Sequence, residues 1–102
     1  MNIYTITTLK TIYGYKNPVH TYELGCRCVG WREKLEDAKE AVEHNDMDIY
    51  ECGYYPFCVI EEVGEGIYCY SMKEWWYQWV DGEYKEIDKP EILSHTVGFG
   101  IG

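Results

Sequence analysis

The chain has 102 residues, which is enough for one domain with a single modest core. Hydrophobic residues make up 46% of it and aromatic residues 17%, too much apolar surface for an intrinsically disordered chain. The net charge of −9, from 9 basic and 18 acidic residues, opposes direct binding to a nucleic-acid backbone. No run approaches the roughly 18 apolar residues of a membrane span, and the N-terminus lacks the basic and apolar regions of an export signal. We therefore expect a cytoplasmic protein that makes no membrane contact.

The N-terminal part predicts two strands. Residues 3–11 are rich in Thr, Ile and Tyr, which favour strands, and 13–20 contain Gly, Asn and Pro, which predict a loop. A second strand is predicted over 21–29, paired antiparallel with the first. Its alternation places Cys26 and Cys28 on the same face.

A helix is predicted over 34–44, because small and aliphatic residues form one stripe and charged residues occupy the rest of its surface. Asn45 is a suitable C-terminal stop, since Asn tolerates the left-handed conformation. The helix is too short to be stable alone, so we expect it to pack on the sheet.

The C-terminal half predicts further strands. Residues 54–63 form a buried strand with Pro56 at its start or at an edge, and 64–66 form a turn that leads into 67–70. Residues 71–80 carry a capping box that would open a helix, but Asp81-Gly82 between two β-rich runs favours a hairpin with 83–87. The alternating glycines of 96–102 indicate a last edge strand or a packed tail. The sequence thus predicts a single α+β domain of about five mostly antiparallel strands with one helix packed on the sheet.

No catalytic motif is present, so we expect a protein that is not an enzyme. The five cysteines, an odd number, argue against a disulfide framework and are expected as reduced, buried thiols. The spacing of Cys26 and Cys28 does not fit zinc, and the stretch after Asn45 has Tyr50 and Pro56 where a calcium loop needs Gly and Glu. We expect no metal or cofactor.

The acidic residues are concentrated in the middle of the chain. Between Glu33 and Glu65 there are eleven acidic residues and two lysines, a net charge of −9, whereas the remainder has seven residues of each sign. Such one-sided charge favours a basic partner, although a solvated face that maintains solubility would look the same. The candidate contact residues in this part are Glu36, Asp37, Glu40, Glu43, Asp46 and Asp48.

If residues 74–80 form a strand, Trp75, Tyr77 and Trp79 share one face of it. Exposed rings would supply the anchors of a protein interface, whereas covered rings would belong to the core; the sequence leaves both open. The ring-rich hairpin or the glycine-rich tail could also form a homodimer contact.

Several segments of the chain resemble a group of small proteins encoded by bacteriophages and bacterial mobile elements. They are RCVGW (27–31), LEDAKEAVEHNDMDIYE, YYPFCVIEEVGEGIY, EWWYQWV followed by DG and EYKEIDKPE, and GFGIG. The resemblance covers most of the chain from Arg27 onward and carries over no catalytic residue. Small acidic proteins of such elements often act against host defences, and some are anti-CRISPR proteins that bind a nuclease directly. The resemblance therefore implies an anti-defence role.

Two functions are consistent with these observations. The first is a non-enzymatic inhibitor whose acidic surface occludes the basic, nucleic-acid-binding groove of a host defence protein. The second is a protein that sequesters a signalling nucleotide in an aromatic-lined pocket, with base stacking on Tyr or Trp. The negative charge of the chain favours the first.

Overall fold

The computed structural model describes residues 2–10, 25–66, 71–94 and 97–100. Within them, five strands form one antiparallel sheet and one helix packs on it, which confirms the predicted α+β class. The elements are β1 (Asn2–Leu9), β2 (Cys26–Arg32), α1 (Leu35–Glu43), β3 (Phe57–Gly64), β4 (Ser71–Val80) and β5 (Glu83–Ile87), with short 3₁₀ turns at 46–48, 51–53 and 91–93. The loop predicted over 13–20, the beginning of the predicted second strand and the segment 67–70 lie outside the described residues.

The strand order in the sheet is β2-β1-β3-β4-β5. β1 pairs antiparallel with both β2 and β3, so the chain leaves β2, passes through α1 and re-enters the sheet on the other side of β1. β3 is consequently central and buried along most of its length, whereas β2 is an edge strand and is exposed along most of its length.

The helix covers one face of the sheet. α1 begins after Lys34, whose backbone is extended, and Asn45 lies two residues beyond its end in the predicted left-handed conformation, with φ of 50°. Its buried stripe of Ala38, Ala41 and Val42 packs in one core cluster with β-strand residues such as Ile60. A nine-residue helix depends on such packing, because its own hydrogen bonds are marginal in water.

The β4–β5 hairpin is formed as predicted, and the helical alternative for 71–80 is wrong. Asp81 and Gly82 both have positive φ, 52° and 86°, as a two-residue type I′ turn requires. Pro56 directly precedes β3, and its carbonyl accepts a hydrogen bond from the Trp79 N–H at 2.8 Å.

The opposite face of the sheet is covered by the C-terminal part of the chain. A second core cluster there contains Leu9, Phe57, Val59, Trp76 and Leu93, with Phe99 packed against it. The ring of Phe99 meets that of Trp76 edge to face, with centroids 5.1 Å apart. The described residues of the glycine-rich end, 97–100, thus form a packed tail, not a strand.

A buried carboxylate holds this tail in place. Glu61 of β3 is fully buried, and its two oxygens accept hydrogen bonds from the backbone N–H groups of Gly98, Phe99 and Gly100 at 3.0, 3.2 and 2.9 Å. Glu62 projects to the other side of the strand, where it is partly exposed and accepts a hydrogen bond from Asn2 Nδ2 at 2.7 Å. Three hydrogen bonds to the charged group offset much of the cost of burying it.

The expectation of buried thiols is correct for Cys58 and wrong for Cys52, which lies in the 3₁₀ turn at 51–53, and for Cys26 and Cys28 of β2; all three are exposed. The physical reason is the strand order. Cys58 lies on the central strand β3, whereas Cys26 and Cys28 lie on the edge strand β2, most of whose residues are exposed.

We expect Glu61→Gln to lower the free energy of unfolding by about 2–3 kcal/mol, because the amide loses the charge and turns an N–H₂ group toward backbone donors. Glu62→Gln, at the partly exposed residue next to it, should change the free energy of unfolding by less than about 0.5 kcal/mol. Urea denaturation of both variants measures the difference. Equal losses would contradict the role given to the Glu61 carboxylate.

We expect opposite effects from alanine at two glycines with ordinary φ. A Cβ at Gly100 would lie 2.8 Å from Thr7 Oγ1 and 3.2 Å from Thr5 Oγ1, so Gly100→Ala should destabilise the fold by about 1–3 kcal/mol. A Cβ at Gly30 meets nothing within 4 Å, so Gly30→Ala should stabilise it by about 0.4–1 kcal/mol. Thermal unfolding of the two variants provides the test, and a stable Gly100→Ala protein would show that the tail is not closely packed.

Candidate protein-binding surface

Exposed carboxylates cover the outer side of α1 and the turn that follows it. We call this set the acidic surface; it consists of Glu33, Glu36, Asp37, Glu40, Glu43, Asp46 and Asp48, all of them exposed. It therefore contains all six acidic candidates that the sequence predicts. Glu61 belongs to the same acidic stretch of sequence but is inside the protein, so it contributes nothing to the surface.

The arrangement of these charges is unfavourable for the helix itself. Glu36, Glu40 and Glu43 follow one another at spacings of four and three residues, where like charges repel. Acidic residues in the first turn complement the helix dipole, but the last turn has no basic residue and carries Glu40 and Glu43. The surface thus concentrates negative charge at a cost to helix stability.

Neighbouring cations neutralise little of this charge. Lys39, the one lysine within α1, is directed to Glu86 of β5, with Nζ to Oε1 at 3.3 Å. His44 Nδ1 lies 3.9 Å from Glu40 Oε1 and attracts it only when the imidazole is protonated. Among the described residues, no cation lies within ion-pair distance of Glu36 or Asp37. The negative potential is therefore available to a partner.

The segment 45–52, which continues the acidic surface, has an unusual backbone. Five of its residues are not glycine and yet have left-handed φ values, between 50° and 56°: Asn45, Met47, Asp48, Glu51 and Cys52. Asn45 stabilises the segment through its Oδ1, which accepts the Tyr50 N–H at 2.8 Å, and through its Nδ2, which donates to Asp48 Oδ1 at 3.2 Å. Hydrogen bonds from Asn45 and Cys52 hold the pKa of the Asp48 carboxyl below its ordinary value.

Aromatic stacking joins this segment to the sheet. The ring of Tyr50 lies parallel to that of Trp79, with centroids 3.8 Å apart, and meets Tyr84 edge to face at 6.0 Å. Tyr84 is buried, and its hydroxyl donates a 2.6 Å hydrogen bond to the Tyr55 carbonyl. Burial raises the pKa of the Tyr84 hydroxyl, so it remains a donor at neutral pH. The carboxylates of the turn are consequently attached to a rigid support.

The predicted aromatic contacts lie beneath the helix. Tyr77 is fully buried, so it cannot contact a partner, and its pKa is raised by burial and then by Glu43. Trp75 and Trp79 are partly buried and pack against the same core cluster. Trp75 meets Tyr4 edge to face, with centroids 6.0 Å apart. The structure thus brings the six acidic candidates together on the surface and places the aromatic ones largely in the core.

A cleft that the sequence did not predict opens between β2 and the 45–52 segment. We call it the β2 cleft; its volume is about 400 Å³. Its lining is Ile6, Ala41 and Ile49, with Val29, Met47, Cys28 and Gly30, and the charged residues Arg27, Arg32, Asp46, Asp48 and Glu51. It has no aromatic lining, unlike the nucleotide pocket considered from the sequence.

A second cleft of about 390 Å³ does contain Trp75 and Trp76. Its charged lining consists of Lys73, Lys89, Glu74, Glu86 and Asp88, a net charge of −1. Lys89 forms an ion pair with Glu74, with Nζ to Oε1 at 3.0 Å. Phosphate groups would therefore meet more negative than positive charge in this cleft.

The described cysteines include three whose pKa values are shifted, and all three shifts are upward. Burial raises the pKa of Cys58 and that of Cys26, where Glu61 adds to the effect. At Cys52 the main cause is the hydrogen bond that its thiol donates to Asp48 Oδ2, at 3.4 Å. The thiolate form, which a nucleophile needs, is thereby disfavoured at these positions.

Comparisons with known proteins find no match: no family model, no curated protein and no solved structure is similar to this chain. No helix among the described residues is long and apolar enough to cross a membrane.

We expect Asp48→Asn to accelerate alkylation of Cys52 several-fold at pH 8, because removal of the carboxylate lowers the thiol pKa and raises the thiolate fraction. Asp46→Asn, a matched change two residues away, should leave the rate unchanged. Mass spectrometry of the peptide that contains Cys52, after timed exposure to iodoacetamide, measures both rates. An unchanged rate in Asp48→Asn would mean that the carboxylate does not control this thiol.

Proposed function

We propose that the protein is a non-enzymatic inhibitor that places its acidic surface on the basic, nucleic-acid-binding groove of another protein. The observation that carries this proposal is the run of exposed, largely unpaired carboxylates along α1 and into the 45–52 segment. These carboxylates repel one another, and two of them oppose the helix dipole. A basic groove would relieve both effects on binding.

The rigid attachment of the 45–52 segment also supports this function. Carboxylates held in place lose little conformational freedom on binding, so less of the interaction energy is spent on ordering them. Complementary charge further raises the rate of association and discriminates against acidic partners.

The first class of partner to test is a bacterial defence nuclease. The resemblance to small proteins of bacteriophages and mobile elements suggests this class, and a groove that binds nucleic acid supplies the necessary positive charge. Trp75 and Trp79, of which only part is accessible, would lie at the margin of such a contact. Sequestration of a nucleotide is less favoured, because the lining of each cleft described above carries more acidic than basic residues.

We expect the triple variant Glu36→Gln, Glu40→Gln and Glu43→Gln to bind its nuclease at least about tenfold more weakly, because three charges are lost from the contact. The measurement is calorimetry or a pull-down with a panel of purified defence nucleases at low and high salt. Binding by the unchanged protein should weaken with salt and be displaced by DNA or RNA.

The matched control is Glu83→Gln, Asp88→Asn and Glu91→Gln, which also removes three exposed charges, from β5 and the segment after it, none of them part of the acidic surface. It should bind as the unchanged protein does. If both triple variants bind equally well, or if nucleic acid does not compete, the acidic surface is not the contact.

A further inference from the structure

We propose that the outer edge of β2, together with the cleft beneath it, binds an extended peptide segment of a partner protein that carries a basic side chain. This site goes beyond the proposed function, because it uses backbone pairing at a sheet edge and not the carboxylates of α1, although the two share Asp46 and Asp48.

The edge of β2 has the features of a strand-addition site. β2 pairs only with β1 among the described strands, with a register shift at Val29, so about half of its backbone N–H and C=O groups point away from the sheet. Val29 and Trp31 on this strand are exposed, at 39% and 52%. An added strand would satisfy the outward groups and cover these side chains.

The β2 cleft lies where the side chains of an added strand would enter. Its floor of Ile6, Ala41 and Ile49 belongs to the helix-covered side of the sheet, and Val29 and the fully exposed Met47 border it. Alternate side chains of a strand point to the same face. Every second side chain of an added strand would therefore be directed into the cleft.

The charges of the cleft select the entering side chain. Arg27 on the β2 side forms an ion pair with Glu51, with Nη1 to Oε2 at 3.1 Å. Outside this pair, Arg32 of β2 and the carboxylates of Asp46 and Asp48 in the 45–52 segment also line the cleft, so its charged residues sum to −1. A lysine or arginine would lay its aliphatic stem on the apolar floor and bring its cation to these two carboxylates. The net charge of the whole chain attracts the same kind of segment.

A second copy of this chain is a poorer occupant of the edge. Two chains that each carry a charge of −9 repel one another. The occupant is thus a basic segment from a different protein.

The test uses a phage-displayed library of random twelve-residue peptides, selected on the immobilised protein. We expect enrichment of peptides in which a lysine or arginine is flanked by β-branched residues. Val29→Lys should reduce their binding at least tenfold by placing a charge on the edge. Val80→Lys, at a valine of similar exposure on β4, should leave binding unchanged; the exposures are 39% and 37%.

A second pair of variants tests the charge selection. Asp46→Asn with Asp48→Asn should abolish the preference for a basic residue, whereas Asp37→Asn with Glu40→Gln removes two charges outside the cleft and should preserve it. Backbone amide shifts of the bound protein should be largest within Cys26–Arg32.

Three outcomes would overturn the peptide site: no enrichment, enrichment that survives Val29→Lys, or a dimer of the protein that Val29→Lys dissociates. If enrichment survives Val29→Lys but is lost in Asp37→Asn with Glu40→Gln, the peptides bind the acidic surface. That result would exclude the edge site while supporting the proposed function, so the two can fail separately.

Discussion

Burial of the Glu61 carboxylate is the constraint on which both sides of the sheet depend. A charged group without partners in the interior of a protein costs several kcal/mol, so β3 can be central only if that charge is satisfied. Three successive N–H groups of residues 98–100 provide the hydrogen bonds. The same contact brings Phe99 onto Trp76 and completes the second core cluster. The stability of the sheet is therefore linked to docking of the tail, and α1 covers the other face.

Much of the local structure could be predicted from the sequence because its signals are local. Asp81-Gly82 determines a tight hairpin through the φ values that its two residues adopt, and Asn45 follows the end of α1 for the same reason. In a strand, alternation puts the neighbouring residues Glu61 and Glu62 on opposite faces, as the structure has them. It does not reveal which of them is buried, because the groups that cover Glu61 lie 37 to 39 residues further along the chain.

The strand order explains the parts that could not be predicted. Cys26 and Cys28 occur in a pattern that suits a buried strand, but their exposure follows from the position of β2 at the edge of the sheet. That position arises because the chain passes from β2 through α1 to the far side of β1, a non-local choice that composition and alternation do not encode. The β2 cleft follows from the same choice, since it lies between this edge strand and the 45–52 segment. The acidic candidates, by contrast, could be predicted, because they form one surface as long as each is exposed. A short amphipathic helix turns its charged side to solvent.

The segment 45–52 joins the two candidate surfaces. Asp46 and Asp48 belong to the acidic surface and also line the β2 cleft, and Tyr50 attaches both to the sheet by stacking on Trp79. Charge and backbone pairing act on different stages of association: charge mainly raises the rate of encounter, whereas hydrogen bonds along a strand and buried side chains mainly slow dissociation. A partner with a basic groove and an extended basic segment beside it would therefore engage both surfaces at once. Asp46 and Asp48 lie in the same turn, so a partner bound at one surface is already positioned for the other. The second contact then costs the partner little further translational and rotational freedom.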